Sequence, residues 1–350
     1  MADHKDGDTS FYHIPFTITD SFHDMPYRPL GSSGLRVPNV GLGTWKVGYP
    51  ETGDGSRVGE ELAFKLFERA IELGVTFWDT ANRYNAASGN SERVIGNWFI
   101  NNPHQRRNVI LATKVFGAMD GITPNHCGLS RGNILESVYA SLDRLQTDYI
   151  DLLSFHAFDS SVPIEESLAA IEDLVRQDLV HYFGVSNFTV QNLKDYLAVQ
   201  SKMTVRSKMI AVQNQFDVLH YESEKYSGVL NYAQESGISF VAWSPLAGGL
   251  LSEKYLNPEN IGKGDRLFDE GVFQDKVDQV TTKKLEKLTV LAHQWDLKLS
   301  QLALAYILSI PGMGPVIPTS STISQLESNA MIGKIKLSDE QKDQIQLALK

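Results

Sequence analysis

"IELGVTFWDT", residues 71–80, decides how the rest of the chain is read. An amphipathic run ends at Leu73, Gly74 follows, and Val75-Thr76-Phe77-Trp78 is then apolar on both faces before Asp79 turns it acidic. Glycine just past a helix end takes the left-handed conformation at no steric cost, and a short apolar run without alternation suits a strand covered on both sides. "AQESGISFVAWS", residues 233–244, repeats the arrangement. Strands of this kind, separated by helices, make a parallel sheet.

Outward from these two stretches, the same punctuation predicts strands at 40–45, 75–79, 109–115, 149–156, 180–185, 209–214, 239–243 and 315–317. Helices are predicted between or after them at 60–73, 91–99, 131–145, 165–176, 190–198, 223–235, 300–308 and 323–331. Ser91, Ser130 and Thr189 stand before their runs as candidate caps. Eight strand-then-helix units in about 300 residues have the size of an α/β (β/α)8 TIM barrel. Residues 27–38 read as a hairpin before the first strand, and 244–298 as a long functional loop with its own helix near 277–294. A doubly wound sheet needs a phosphate-binding G-x-G-x-x-G, and "GLGTWK" at 41–46 lacks the third glycine. Residues 1–26 form an N-terminal extension and 27–350 one barrel domain.

The formal charge of −10 opposes attraction to nucleic acid or anionic lipid. The first residues, "MADHKDGDTS", lack the basic start and apolar core of a signal peptide, and the apolar stretch 299–310 is too short to span a bilayer. A soluble, cytoplasmic protein without nucleic-acid or membrane partners is expected. Cys127 is the single cysteine, which excludes internal disulfides and a zinc site of several thiolates. No H-x-H or H-E-x-x-H spacing occurs, so no metal is expected; a glycosidase needs paired acids, whereas strands four and six end in His156 and Asn214.

Residues at the carboxyl ends of barrel strands converge on one mouth. Asp79, Tyr84, Lys114 and His156 fall there. Singly, each has an ordinary explanation as cap, ion-pair partner or core histidine. Jointly, four ionisable groups at the ends of three consecutive strands point to chemistry, since buried charge is costly. Lys114 is expected to lower the Tyr84 phenol toward working pH, making it a general acid, while Asp79 holds Lys114. His156 is expected to hydrogen-bond a substrate oxygen or pass the proton.

"FWDTANRYN", "LATKV", "LLSFH", "GVSNF", "VQNQF", "AWSPLAGGLLSEKY" and "VIPTSSTISQLESN" occur in that order through about 300 residues, and the chain they mark resembles the aldo-keto reductase family. "VGLGTWKVG" and "AWSPLAGG" are most similar to the branch with bacterial aldo/keto oxidoreductases and potassium-channel β subunits. The resemblance implies a barrel that binds a nicotinamide cofactor without a Rossmann fold, with Asp79, Tyr84, Lys114 and His156 as catalytic tetrad. The channel subunits carry asparagine where His156 stands, so the intact tetrad favours an enzyme over the alternative, a cofactor-sensing binding module.

The resemblance also implies Ser186, Asn187 and Gln213 at the nicotinamide carboxamide, with Trp243 as the platform under its ring. Ser244, Leu246, Gly248 and Gly249 would follow the pyrophosphate, and Gly43, Thr44, Trp45, Asp79, Pro245 and Thr319 complete the implied site. The segment "IPTSSTISQLESN" holds Ser321, Gln325 and Asn329 but no lysine or arginine, and the resemblance to the channel-subunit branch, where the long loop after strand seven supplies the basic residues, implies Lys254 and Arg266 as the phosphate-side candidates. NADPH is expected over NADH, with NAD as the alternative. The implied reaction is reduction of an aldehyde, ketone or sugar carbonyl, or oxidation of the corresponding alcohol, with Tyr84 as general acid/base. Trp45, Tyr49, Phe116, Phe158 and Phe268 are candidates for an aromatic mouth.

Overall fold

A computed structural model describes residues 19–119, 121–203, 208–257, 259, 261–263, 265–273 and 277–350. Its parallel strands are Leu42–Gly43, Phe77–Asp79, Ile110–Val115, Ile150–Phe155, Val180–Ser186, Met209–Gln215, Ser239–Trp243 and Met313–Ile317, each hydrogen-bonded to the next in chain order. Parallel bridges Val40↔Val316 and Gly43↔Thr319 join the last strand to the first, closing the expected (β/α)8 barrel. Gly41 lies at this seam. A Cβ there would come within 2.8 Å of the Phe77 carbonyl, so only glycine lets the strands meet.

Two apolar layers follow from burial on both strand faces. Inside the barrel, Phe77, Ala112, Leu152, Ala211, Val241 and Ile317 form one cluster. Outside, strands and helices share a larger core, to which helix Glu60–Glu72 contributes Ala63, Leu66, Phe67, Ala70 and Ile71, the one-sided spacing of an amphipathic helix. The predicted hairpin is present as Met25–Pro29 paired antiparallel with Arg36–Pro38, and Ser21–Phe22 adds a further strand. Leu30 and Val37 plug the interior cluster from below, while Gly31 N donates to Ser239 Oγ and Arg28 Nη1 to the Met313 carbonyl. Both acceptors begin strands, so the hairpin seals the amino-terminal face and leaves the opposite face open.

Caps and helix ends show where local signals were sufficient. Ser130 accepts from Asn133 N, and Thr189 forms a reciprocal box with Asn192. Ser91 does not cap: its helix starts at Asn90 behind Gly89, and Ser91, fully buried, hydrogen-bonds the hydroxyls of Thr44 and Thr80 instead. The run 223–235 is α-helical only over Val229–Glu235; a 3-10 turn at Glu224–Tyr226 precedes it, and Gly228 at φ 85° separates the two. The long segment after strand seven contains helix Gln279–Gln294, as expected. A last helix, Asp339–Leu349, was unforeseen although Ser338 and Gln341 form its capping box. Among the described residues no helix is long and apolar enough to cross a membrane.

Candidate functional site

The carboxyl ends of the strands open on a cavity of about 730 Å³. Strand two delivers Asp79, strand three Lys114, and His156 directly follows strand four. Lys114 Nζ donates to both Asp79 carboxylate oxygens at 2.8 Å and to the Thr80 carbonyl at 2.9 Å. It also lies 2.9 Å from Tyr84 Oη, which in turn donates to Asp79 Oδ2 at 3.2 Å. Asp79 and Lys114 are 4% and 1% exposed, so their attraction is unscreened by water. The Tyr84 and His156 rings stand edge-on, 6.0 Å between centroids. Asp79, Tyr84 and His156 line the cavity, with Lys114 behind them.

The electrostatics correct one expectation. Tyr84 was expected to be acidified by Lys114; instead burial pushes its phenol well above the ordinary value, and the charge and hydrogen bond of Asp79 push the same way. Burial also pushes the Lys114 ammonium down, against the opposing pull of Asp79 and Glu92. His156 is pushed down to about 3, first by burial and then by the charges of Lys114 and Arg83. The histidine is therefore uncharged near pH 7, a form able to donate or accept a hydrogen bond.

Strands five, six and seven supply a second group. Gln213 Nε2 donates to Asp79 Oδ1 at 2.7 Å, Ser186 Oγ to the Gln213 carbonyl at 2.7 Å, and Asn187 Nδ2 to the His156 carbonyl at 2.9 Å. The Trp243 indole, exposed to the cavity, donates to Asn187 Oδ1 at 3.2 Å. Asn187 and Ser244 hold φ of 59° and 55°, a left-handed conformation that non-glycine residues adopt at some cost and that clusters at functional sites. Pro245, Leu246, Gly248 and Gly249 continue the wall.

The far end is built by the segments after strands seven and eight. Ser321 donates to Gln325 Oε1 through N and Oγ, at 2.8 and 2.9 Å, and Asn329 Nδ2 donates to Ser320 Oγ at 3.1 Å. Gly43, Trp45, Thr319, Ser321, Gln325, Asn329 and Arg266 line the cavity. Two implied residues are placed elsewhere. Thr44 is fully buried and donates to the Asp79 carbonyl, and Lys254 turns to the Asp265 carboxylate instead of the cavity. Of the candidate aromatic mouth only Trp45 reaches the wall; Tyr49 donates to Glu60, Phe116 and Phe158 pack on the core, and Phe268 is exposed outside it.

Sequence reasoning missed four cations on the wall, Lys46, Arg57, Arg83 and Lys298, together with Ser300. Arg83 stood inside the quoted "FWDTANRYN", directly before Tyr84, and Lys46 inside "VGLGTWKVG", directly after Trp45; Arg57, Lys298 and Ser300 carry no local signal because tertiary contacts bring them in. Cys127 is exposed and free. No group of three or more His, Cys, Asp or Glu that could hold a metal occurs among the described residues.

Residues 39–350 match the profile described as "Aldo/keto reductase family". The chain is 30% identical over 344 residues to "Aldo-keto reductase AMT2" of Alternaria alternata, covering 91% of this chain and 90% of that protein. It is 34% identical over 323 residues to "Uncharacterized oxidoreductase YrpG" of Bacillus subtilis (strain 168), covering 90% and 93%. It is 31% identical over 324 residues to "Aldo-keto reductase dtxS3" of Metarhizium robertsii, covering 84% of each.

Proposed function

The chain belongs to the aldo/keto reductase family of carbonyl oxidoreductases, and from that premise we propose that it reduces an aldehyde, ketone or sugar carbonyl, or oxidises the corresponding alcohol, with NADPH and with Tyr84 as general acid/base. The observation that carries the reading is the contact of Lys114 Nζ with Tyr84 Oη inside the buried Asp79 pair, at a wall shared with His156.

Members of this family use nicotinamide cofactors, and the donor set fits one. The side-chain amides of Asn187 and Gln213 and the Ser186 hydroxyl offer donors and acceptors beside the exposed Trp243 ring, which suits a flat ring bearing a carboxamide. When bound, the cofactor supplies the hydride. The chain's own part is positioning and proton handling. Tyr84 keeps its proton until a substrate oxygen develops charge, then donates it. Lys114 already points a donor at Oη and stabilises the phenolate left behind, while Asp79 neutralises Lys114 in the dry interior. Neutral His156 aligns the substrate oxygen by a hydrogen bond.

For the phosphate end, Arg266 remains on the wall, and Lys298 and Ser300 join it where Lys254 does not. A cation matches a 2′-phosphate that the uncharged Ser321–Gln325 pair alone does not neutralise. Purified protein mixed with NADPH and a panel of aldehydes tests the reading: turnover supports the reductase, and cofactor fluorescence quenching without turnover supports the sensing module. NADPH is expected to exceed NADH in kcat/KM, with the preference reduced by Arg266→Ala or Lys298→Ala; an NADH value equal or higher overturns the cofactor choice.

A further inference from the structure

The cavity is cationic in an acidic chain. Five basic side chains line it, Lys46, Arg57, Arg83, Arg266 and Lys298, against one carboxylate, Asp79, which Lys114 already neutralises. The whole chain carries a formal charge of −10, so this clustering opposes the overall trend. Three of the five face carboxylates of the segment after strand seven: Lys46 lies 3.6 Å from Glu270, Arg57 2.8 Å from Asp269, and Arg266 3.0 Å from Glu270. Lys298 lines the cavity with Ser321 and Asn329 and a second hollow with Ser324 and Ser328, the segment to which the proposed reading assigns the cofactor's phosphates.

Arg83 has neither assignment. It directly precedes Tyr84 and shares the wall with Tyr84 and His156. Its Nη1 donates to the Ala118 carbonyl, and its Cδ rests on Gly117, where a Cβ would come within 2.3 Å. The backbone after strand three thus aims the guanidinium, and no carboxylate among the described residues pairs with it. Its charge acts on His156, which places it within electrostatic range of the reacting end. Arg266, Lys298 and Ser321 belong to the segments after strands seven and eight, a different arc of the mouth.

We infer that Arg83 recognises an anionic oxygen group, carboxylate or phosphate, carried by the carbonyl substrate. The inference rests on the reading that carbonyl chemistry occurs at Tyr84 and His156. A guanidinium offers planar, paired donors that match either anion, and the anion meets no unpaired carboxylate on the wall. A charge-assisted hydrogen bond supports a preference of about 10- to 100-fold; because Arg83 is exposed, the lower end is expected.

Two measurements test this. The first compares kcat/KM for 4-carboxybenzaldehyde with its methyl ester, and for glyceraldehyde 3-phosphate with glyceraldehyde, in the wild type, Arg83→Gln and Arg83→Lys. The expected result is an anion preference of about tenfold or more in at least one pair, which falls with added salt, disappears in Arg83→Gln and is partly retained in Arg83→Lys. Which pair shows it distinguishes carboxylate from phosphate. Equal values for anionic and neutral partners overturn the inference while leaving the reductase reading intact. The second measurement is calorimetric binding of 4-carboxybenzyl alcohol and of glycerol 3-phosphate to the NADP-mixed protein, which needs no turnover. Binding of either that Arg83→Gln weakens about tenfold supports the inference even if no aldehyde is reduced, and that failure then falls on the reductase reading. Binding unaffected by Arg83→Gln, or absent for both anions, overturns it.

Discussion

A phenol buried against a carboxylate holds its proton, and Tyr84 is such a phenol. Its value lies above the ordinary range, so the donor form persists through neutral pH and is lost only as pH rises past the raised value. His156, held to about 3, does not change charge between pH 5 and 8. The kcat/KM of carbonyl reduction is therefore expected to be flat across that range, and the reverse oxidation, which needs phenolate, to rise with pH. An inflection near 6.5 that disappears in His156→Asn would show that the histidine titrates there instead. Tyr84→Phe is expected to lower turnover by about 10²- to 10⁴-fold, the usual worth of general acid catalysis, with cofactor quenching retained. Turnover above half that of the wild type, with chemistry rate-limiting, would remove Tyr84 from the mechanism.

At the scale of elements, the first turn of helix Asn90–Asn101 secures strands two and three from behind. Ser91 bonds the Thr44 and Thr80 hydroxyls, and Thr80 offers its carbonyl to Lys114. Glu92, fully buried, accepts from Thr113 Oγ1 at 2.6 Å and Arg144 Nε at 2.8 Å. Gly96 lets the next helix approach, since a Cβ there would lie 2.1 Å from the Arg144 carbonyl. Glu92→Ala leaves the Arg144 guanidinium buried without its carboxylate, a change that costs about 3–5 kcal/mol. Urea unfolding should show a midpoint lowered accordingly; an unchanged midpoint would mean that Arg144 reaches water by a shift of its helix.

Across the whole molecule, each strand pairs with the next and the last bridges to the first, so no cut divides the barrel without breaking a ladder. We propose that residues 27–350 unfold as one unit; of the extension 1–26, residues 21–26 pair into the hairpin and would unfold with it, and 1–18 lie outside the described residues. Far-ultraviolet circular dichroism and tryptophan fluorescence should report one coincident thermal transition; two separated transitions would argue for independent domains.

The sequence by itself determined the barrel, because strands covered on both faces and glycine helix stops are local signals and eight of them in alternation admit few folds. It also placed Asp79, Tyr84, Lys114 and His156 at the mouth, since strand ends converge whatever their separation in the chain. The quoted motifs carried the family, and with it most of the cavity wall from Ser186 to Asn329. Tertiary structure alone decided what those groups are. Proton affinities depend on desolvation, a property of packed surroundings, so the expected acidification of Tyr84 gave way to the opposite shift. Loop contacts over long sequence distances turned Lys254 to Asp265 and Thr44 to the Asp79 carbonyl, while bringing Arg57, Arg83 and Lys298 to the wall. A loop cation can turn to a local carboxylate or to a ligand at nearly equal cost in water, and only the folded arrangement of its neighbours selects one.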